Sequence, residues 1–294
     1  MITLYRPSGY DSPRASSFAG RSVDDKPLDV ENGSSFKEID TGRVFRYDKE
    51  NNLWIEQKNT TGGGGATEPY TEETYDADGN LIGAKLYGYT KIRDNLFAYC
   101  PSLAHVSFSE GLTSIGNGAF DSCTSLALTS LPAGVTSIGD GAFYGCSNLA
   151  LTSLPAGVTS ISNGAFDSCT SLALTSLPES LTSIGNGAFY GCSNLALTSL
   201  PESLTSIGSN AFRGCTSLAL TSLPEGLTSI DRYAFSGCTR LTSITFKGTP
   251  TIIVANAFNS CTNLTDIKVP WAEGAVANAP WGATNATITY NYTE

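Results

Sequence analysis

The residues in this chain whose type and spacing could carry chemistry are its cysteines. Cysteine lies at positions 100, 123, 146, 169, 192, 215, 238 and 261, so that a constant 23-residue interval separates each from the next. A metal site built from cysteine needs paired ligands in Cys-x-x-Cys spacing, which this chain lacks. A disulfide needs side chains that face each other, whereas side chains stacked at one repeat interval point the same way. We therefore favour small buried structural thiols over disulfides or a metal array, and we expect no cofactor.

The other ionisable side chains give little basis for catalysis. His105 is the single histidine, so a catalytic triad or a multi-histidine metal site would lack its imidazoles. The acidic stretch at residues 76–80, Asp-Ala-Asp-Gly-Asn, has its glycine too early for an EF-hand and predicts a hairpin turn instead. A column of glutamates at 23-residue spacing could hold a cation, but solvated loop positions are the simpler interpretation. These are Glu179, Glu202 and Glu225. We expect no catalytic residue and no enzyme.

Charge and hydropathy exclude further classes of function. The 294 residues include 27 acidic and 17 basic side chains, for a net charge of −10. This balance argues against binding to nucleic acid phosphates and to anionic membranes. No apolar stretch approaches the roughly 20 residues that a membrane-spanning helix needs, so we expect no membrane insertion. The N-terminal residues also lack the apolar stretch of a secretory signal, so we expect no classical export.

A repeating frame surrounds every cysteine. An Ile lies eight residues before it, a Phe three before it and a Leu three after it, from Ile92, Phe97 and Leu103 onward. A single repeat of this length cannot enclose a core, but stacked copies place equivalent apolar side chains above one another. The repeat therefore predicts a solenoid whose stability comes from contacts between neighbouring coils.

Apolar positions three apart predict a short helical or 3-10 turn around each cysteine. Six polar residues just ahead of these turns are expected to act as N-caps. Alternating residues after the Leu predict one parallel strand per coil, clearest at 106–108, 244–246 and 267–269. The predicted fold class is therefore an α/β solenoid of about eight coils over residues 92–269. The expected N-caps are Asp94, Asn117, Asp140, Asn163, Asn186 and Ser209.

Residues 90–270 resemble the BspA-like leucine-rich repeats, as segments such as LPAGVTSIGDGAFYGC illustrate. The resemblance implies a leucine-rich repeat fold. It also implies adhesion as the common use, on bacterial and protist surfaces and in phage proteins, with a target that differs from protein to protein.

Two sets of repeat residues are candidates for partner binding. Five leucines stand one place before the inward strand position of the flanking coils, so a uniform strand register would expose them as an apolar stripe. The alternative is a local bend that turns these leucines inward and the following threonines outward, which we favour. The leucines are Leu128, Leu151, Leu174, Leu197 and Leu220. The second set is the variable position two residues before each Cys, where Tyr144 and Tyr190 are expected to face solvent. They could anchor a partner, but solvent-facing surface without a binding role is the simpler interpretation.

The two ends of the chain lack the repeat. We divide the chain into a small β-rich docking module at 1–61, a glycine linker at 62–65, an N-terminal cap at 66–91, the repeats at 92–269 and a C-terminal cap at 270–294. Three short strands between residues 34 and 57 are marginal alone, so this module is expected to dock on another chain or to trimerise. Its candidate docking residues are Phe36, Phe45, Tyr47 and Trp54.

The segment GSSFKEIDTGRVFRYDKENNLWIEQ resembles a short module of tailed-phage structural proteins, and residues 266–294 resemble the ends of phage tail or fibre proteins. Together with the repeats, this resemblance implies a non-enzymatic virion accessory protein on a head or tail. Residues 1–61 would contact a capsid or tail protein, and the repeats would bind a host surface protein or glycan. The alternatives are a bacterial cell-surface adhesin and a purely structural capsid decoration.

Overall fold

The structure is a computed structural model that describes residues 69–293 and, before them, the backbone of five strands. The chain forms two compact units. Unit 1 comprises residues 1–90 and 103–111, and unit 2 comprises residues 91–102 and 112–294. In chain order the strands of the described residues are β1 Thr3–Pro7, β2 Ser17–Gly20, β3 Ser35–Glu38, β4 Val44–Asp48, β5 Leu53–Gln57, β6 Tyr70–Tyr75, β7 Leu81–Tyr87, β8 Lys91–Ile92, β9 His105–Ser107, β10 Ser114–Ile115, β11 Ser137–Ile138, β12 Ser160–Ile161, β13 Ser183–Ile184, β14 Ser206–Ile207, β15 Ser222–Leu223, β16 Ser229–Ile230, β17 Ser243–Phe246, β18 Ile252–Ile253, β19 Asp266–Lys268 and β20 Thr287–Thr289.

Unit 1 is built on one sheet of eight strands in the order β5-β4-β3-β2-β1-β6-β7-β9. Most neighbours are antiparallel, but β2 pairs with β3 in parallel and β7 pairs with β9 in parallel. The three strands predicted in the docking module correspond to β3, β4 and β5, so their existence is confirmed. In the backbone register, Phe36 lies opposite Phe45 and Tyr47 opposite Trp54.

The predicted glycine linker at 62–65 lies outside the described residues. Residues 66–91 were predicted as a cap on the solenoid, and their described strands belong to the sheet of unit 1. There β6 pairs with β1 on one side and with β7 on the other. β7 in turn pairs with β9, so it covers the edge of the strand that follows Leu103.

Unit 2 is a stack of coils held together by very short parallel strands. Each coil contributes a two-residue strand, usually Ser-Ile, that pairs with the equivalent strand of the next coil, as Ile161 does with Ile184. The Ile of each pair is buried. These strands form the sheets β11-β10-β8 and β12-β13-β14-β16-β18.

In the central coils the strands lie at a different place from the one predicted. The segment after the repeat Leu forms β9, β17 and β19, close to the three ranges that were predicted. In the central coils it forms no strand except the short β15, and the regular strand lies instead at Ser-Ile. The reason is spacing: Leu151 and Leu154 both point inward and are three residues apart, which a strand with a period of two cannot achieve.

The predicted helical turns are also corrected, since the described residues contain no helix. The N–H of Tyr144 donates to the carbonyl of Gly141 at 2.9 Å, but the adjacent N–H groups of Phe143 and Gly145 donate to the next coil at 2.9 and 2.8 Å. Left-handed backbone at Gly141 (φ 57°) and Gly145 (φ 68°) produces this alternation. In a helix every N–H donates to a carbonyl of the same helix. This segment is therefore a series of turns that is hydrogen-bonded to the next coil.

The six polar residues predicted as N-caps link the coils instead. Without a helix there is no helix start to cap, so the side-chain oxygens of the first five accept a hydrogen bond from the equivalent backbone N–H one coil later, and Ser209 takes part as the last backbone donor. Asp94 Oδ1, for example, accepts from the N–H of Asn117 at 2.8 Å. The same bond recurs at 2.8–2.9 Å four more times, with donors Asp140, Asn163, Asn186 and Ser209.

A column of stacked aromatic rings runs through the core of unit 2. Consecutive Phe rings from Phe97 to Phe258 are 5.1–5.5 Å apart between centroids and nearly parallel. Trp281, which is fully buried, follows Phe258 by the same 23-residue interval, and its carbonyl accepts the N–H of Phe258. The stack therefore extends to about nine coils rather than eight. Trp271 and Phe246 pack edge-on beside this end.

Candidate ligand-binding surface

The five candidate leucines are buried and do not form a binding stripe. The side chains are at most 9% exposed, and those of Leu151, Leu174 and Leu197 are fully buried. The threonines that follow them are exposed, as the alternative with a local bend requires. The exposed-stripe interpretation is therefore wrong, because the leucines fill the core at a spacing of three residues. The exposed threonines are Thr129, Thr152, Thr175, Thr198 and Thr221.

The cysteines have a more specific structural role than filling space. All eight are thiols, and seven of them are buried. Each buried thiol donates to the carbonyl of the Phe in the preceding coil, as Cys192 does to Phe166 at 3.0 Å. Burial raises the pKa of Cys123 and Cys261 to about 12 and the pKa of the five thiols between them well above the usual range. Thiols held in this protonated state are poor nucleophiles and poor metal ligands.

The acidic candidates do not assemble into a metal site. Glu202 pairs with Lys247 at 2.5 Å, and this hydrogen bond lowers the pKa of the glutamate. Within the described residues, no group of three His, Cys, Asp or Glu side chains could hold a metal ion. The acidic stretch at 76–80 forms the hairpin turn between β6 and β7, as predicted, with Asp76 Oδ1 accepting from the N–H groups of Asp78 and Asn80 at 3.0 and 2.8 Å.

The variable position two residues before each Cys forms a column along the turns of unit 2, which we call the turn edge. It consists of Asp121, Tyr144, Asp167, Tyr190 and Arg213 in five consecutive coils. Tyr144, Tyr190 and Arg213 are exposed and Asp121 and Asp167 are half-buried, whereas Ser236 at the equivalent position of the next coil is buried. Tyr144 is 46% exposed and Tyr190 is 37% exposed, so both candidate tyrosines face solvent as predicted.

Hydrogen bonds orient the acidic groups of the turn edge. Ser122 Oγ donates to Asp121 Oδ1 at 2.8 Å, and Ser168 Oγ donates to Asp167 Oδ1 at 2.7 Å. Partial burial raises the pKa of Asp167, while the hydrogen bond from Ser168 opposes that shift. These bonds hold the carboxylate of Asp167 between the two tyrosines and that of Asp121 one coil before Tyr144.

A cluster of arginine and tyrosine at one end of the turn edge was not predicted. The guanidinium of Arg213 lies over the rings of Tyr190 and Tyr233, 5.6 Å from each centroid. Arg232 lies 5.0 Å from the centroid of Tyr233. The signal was present in the sequence, since Arg232 and Tyr233 replace the Asn-Gly or Asp-Gly of the central coils. Cation–π contacts of this kind hold the exposed side chains in a defined arrangement.

A second candidate surface is a groove of about 550 Å³ along the sheet of Ser-Ile strands. Serine hydroxyls of β12, β13, β14 and β16 line it, together with Asp140 and Asp231. The serines recur in coil after coil, and the lining residues that vary are mainly those next to the Ile, such as Ser162, Gly185 and Asp231. The turn edge also changes in character along the stack.

The candidate docking residues Phe36, Phe45, Tyr47 and Trp54 lie on β3, β4 and β5 of unit 1, whose backbone alone is described. Their role in docking stays a prediction. No helix of the described residues has the length and apolar character to cross a bilayer.

The repeat geometry agrees with a comparison of the chain with family models. The model for the BspA type leucine-rich repeat region matches residues 90–199 and 182–274, with six copies, which is more than half of the chain. The chain belongs to the BspA-type leucine-rich repeat family. The resemblance stated from the sequence is thereby confirmed for the repeats. No curated protein matches the chain.

A solved structure shares the repeat fold. A leucine-rich repeat protein from Bacteroides ovatus is 26% identical with a TM-score of 0.55, over 68% of this chain and 52% of that one. The present chain therefore spans about half the length of that structure. A leucine rich cell surface protein from Faecalibacterium prausnitzii is 22% identical with a TM-score of 0.44, over 92% of this chain and 96% of that one.

Proposed function

We propose that this protein is a non-enzymatic adhesion protein whose repeats bind a partner on a cell surface. The turn edge carries this proposal. The coils are copied almost without change, yet the position two residues before each cysteine varies, with Asp, Tyr or Arg in the five coils of the turn edge. Because the packing of the core does not fix these residues, we infer that a partner outside the fold selects them.

The residue types on the turn edge suit recognition. Tyrosine and arginine are enriched where binding energy concentrates, because they offer large contact areas together with hydrogen-bonding groups. Tyr144 and Tyr190 are rigid amphipathic anchors with few rotatable bonds. The carboxylates of Asp121 and Asp167, in the coils that alternate with the tyrosines, add charge-assisted hydrogen bonds to donors on a partner. The net charge of −10 disfavours partners that are themselves strongly acidic.

The location of the protein, on a bacterial cell or on a virion, depends on what the ends of the chain attach to. The family resemblance favours a bacterial cell surface, where the repeats would face a host protein or glycan. The resemblance of residues 33–57 and of the C-terminal segment to tailed-phage proteins favours a second candidate, a virion exterior. In that case residues 1–61 would dock on a capsid or tail protein, as a single chain or as a homotrimer, and the repeats would face the bacterial host.

Immunogold electron microscopy with an antibody to residues 92–269 tests the location. Both intact cells of the source strain and phage particles induced from it would be labelled. Label on the cell envelope supports the bacterial adhesin, and label on a head or tail supports the virion candidate. Label confined to the cell interior, with none on envelopes or particles, would contradict the proposed function in both forms.

A further inference from the structure

The turn edge of unit 2 repeats every two coils rather than every coil. Five-residue segments around four consecutive cysteines alternate between two sequences, Asp-Ser-Cys-Thr-Ser and Tyr-Gly-Cys-Ser-Asn. They begin at Asp121, Tyr144, Asp167 and Tyr190. Four of the five positions therefore recur only in every second coil, whereas the Phe, Ile, Leu and Cys of the core recur in each one.

Packing does not impose this alternation. A Cβ added at Gly145 would lie 3.6 Å from Ser122 Cα, and one added at Gly191 would lie 3.8 Å from Ser168 Cα, both ordinary contacts. Ser122 and Gly145 have similar left-handed backbone, with φ of 58° and 68°, so the turn itself accepts either residue. The two-coil period is thus a property of the exposed surface.

A ligand that repeats over two coils would match this surface. Consecutive coils are separated by 5.3–5.5 Å between the stacked Phe rings beneath the turn edge, and Tyr144 and Tyr190 are two coils apart. We propose that the turn edge binds a neutral, linear β-1,4-linked glycan lying along the stack, with one sugar at each coil. This inference rests on the proposed adhesive function and names the class of its partner.

The chemistry of such a chain fits the alternation. In an extended β-1,4 glycan each sugar is turned by half a revolution relative to its neighbours, so its chemical repeat is two sugars long. A tyrosine ring at every second coil offers an apolar surface to the C–H face of every second pyranose ring. The carboxylates of Asp121 and Asp167 accept hydrogen bonds from hydroxyls of the sugars at their own coils, the first and the third, and charge-assisted bonds of this type are the stronger ones. Arg213 donates to the sugar at the fifth coil.

Charge limits the type of glycan. Two carboxylates on the turn edge and a net charge of −10 oppose a polymer of uronic acids or phosphates. The ligand is therefore neutral, and glucose and N-acetylglucosamine are the sugars to probe. Cellohexaose and chitohexaose represent these two sources.

Isothermal titration calorimetry of the full chain tests the proposal, with maltohexaose as the matched control because it has the same sugar as cellohexaose but α-1,4 links. We expect cellohexaose or chitohexaose to bind and maltohexaose not to bind. Affinity should rise from the trisaccharide, which spans Tyr144 to Tyr190, to the pentasaccharide, which spans Asp121 to Arg213, and then level off. Failure of both β-1,4 hexasaccharides to bind, or equal binding of maltohexaose, would overturn the proposal.

Substitutions test whether the glycan binds at the turn edge. Tyr144→Ala and Tyr190→Ala should each weaken binding by roughly tenfold, since an aromatic contact contributes about the energy of one decade in Kd. The double variant Asp167→Tyr with Tyr190→Asp keeps the composition but breaks the two-coil period, and it should also lose affinity.

The matched control is Tyr87→Ala in unit 1, where the tyrosine is 37% exposed, as Tyr190 is. It should bind as the unchanged protein does, and circular dichroism should show the same unfolding midpoint for all variants. Binding that is insensitive to both turn-edge tyrosines would refute the assignment. Cell-surface labelling without binding to either glycan would reject this ligand and leave the adhesive function standing.

Discussion

Raising the pH above 9 should unfold unit 2, because the folded state holds seven thiols protonated. The ordinary thiol pKa is 9.0, and burial raises the pKa of Cys123 and Cys261 to about 12 and the pKa of the other five buried thiols well above their usual range. A group whose pKa is higher in the folded state stabilises the fold fully below its unfolded pKa. That stability is lost as the pH rises above it, by about 1.4 kcal/mol per pH unit for each group.

For seven thiols the loss between pH 8 and pH 10 amounts to about 10 kcal/mol, which is comparable with the whole stability of an ordinary domain. Urea unfolding followed by circular dichroism at pH 7.5, 8, 9 and 10 measures this loss. The ultraviolet absorbance of thiolate, recorded on the folded protein, shows whether the thiols ionise before the fold is lost. Replacing Cys192 by Val should reduce the slope of the unfolding free energy against pH by one seventh. An equal unfolding free energy at pH 8 and pH 10, or thiolate appearing in folded protein near pH 9, would refute the reasoning.

Three substitutions in the central coils test individual contacts by urea unfolding at pH 7. Cys192→Ala should lower the free energy of unfolding by about 2 kcal/mol, because it leaves a small cavity and removes the hydrogen bond to the Phe166 carbonyl. Cys192→Ser retains a donor and should lower it by about half as much. Equal losses for the two variants would show that the hydrogen bond does not contribute to stability. Asn163→Ala removes the acceptor for the N–H of Asn186 and should lower the free energy of unfolding by about 1 kcal/mol. Asn163→Asp should restore most of that loss. An unchanged free energy of unfolding for the alanine variant would show that these hydrogen bonds between coils do not stabilise the stack. Phe166→Ala should lower the free energy of unfolding by about 4 kcal/mol and Phe166→Leu by clearly less, because alanine leaves the larger void. A loss for the alanine variant below about 1 kcal/mol would be inconsistent with a packed column of rings.

The interior of the repeats could be predicted because copies of one coil bury equivalent residues. The columns of Phe, Ile, Leu and Cys follow from the 23-residue period, and the structure buries nearly all of them. The exposure of Tyr144 and Tyr190 also followed, since a position that varies within a copied frame is unconstrained by the core. Trp281 lies in the predicted C-terminal cap, but its place at the end of the Phe column was not predicted, because its coil keeps little of the repeat sequence.

The backbone of each coil was harder to predict. A spacing of three residues between apolar positions is shared by a helix and by a chain of turns, and only the left-handed residues at Gly141 and Gly145 separate the two. The Ser-Ile strands are two residues long, which is too short to produce an alternating pattern. The direction of Leu174 depended on a one-residue displacement, and a local bend reverses the face that such a displacement exposes. Contacts between coils decide all three features.

The central claim is that the turn edge binds a partner on a cell surface. Its most direct test is the retention of fluorescently labelled full chain on bacterial and epithelial cells, measured by flow cytometry across a range of protein concentrations. Unchanged protein and the Tyr87→Ala control should bind one cell type saturably and equally. The double variant Tyr144→Ala with Tyr190→Ala should need more than tenfold higher concentration for the same retention. Equal retention of the double variant and the unchanged protein would contradict the claim.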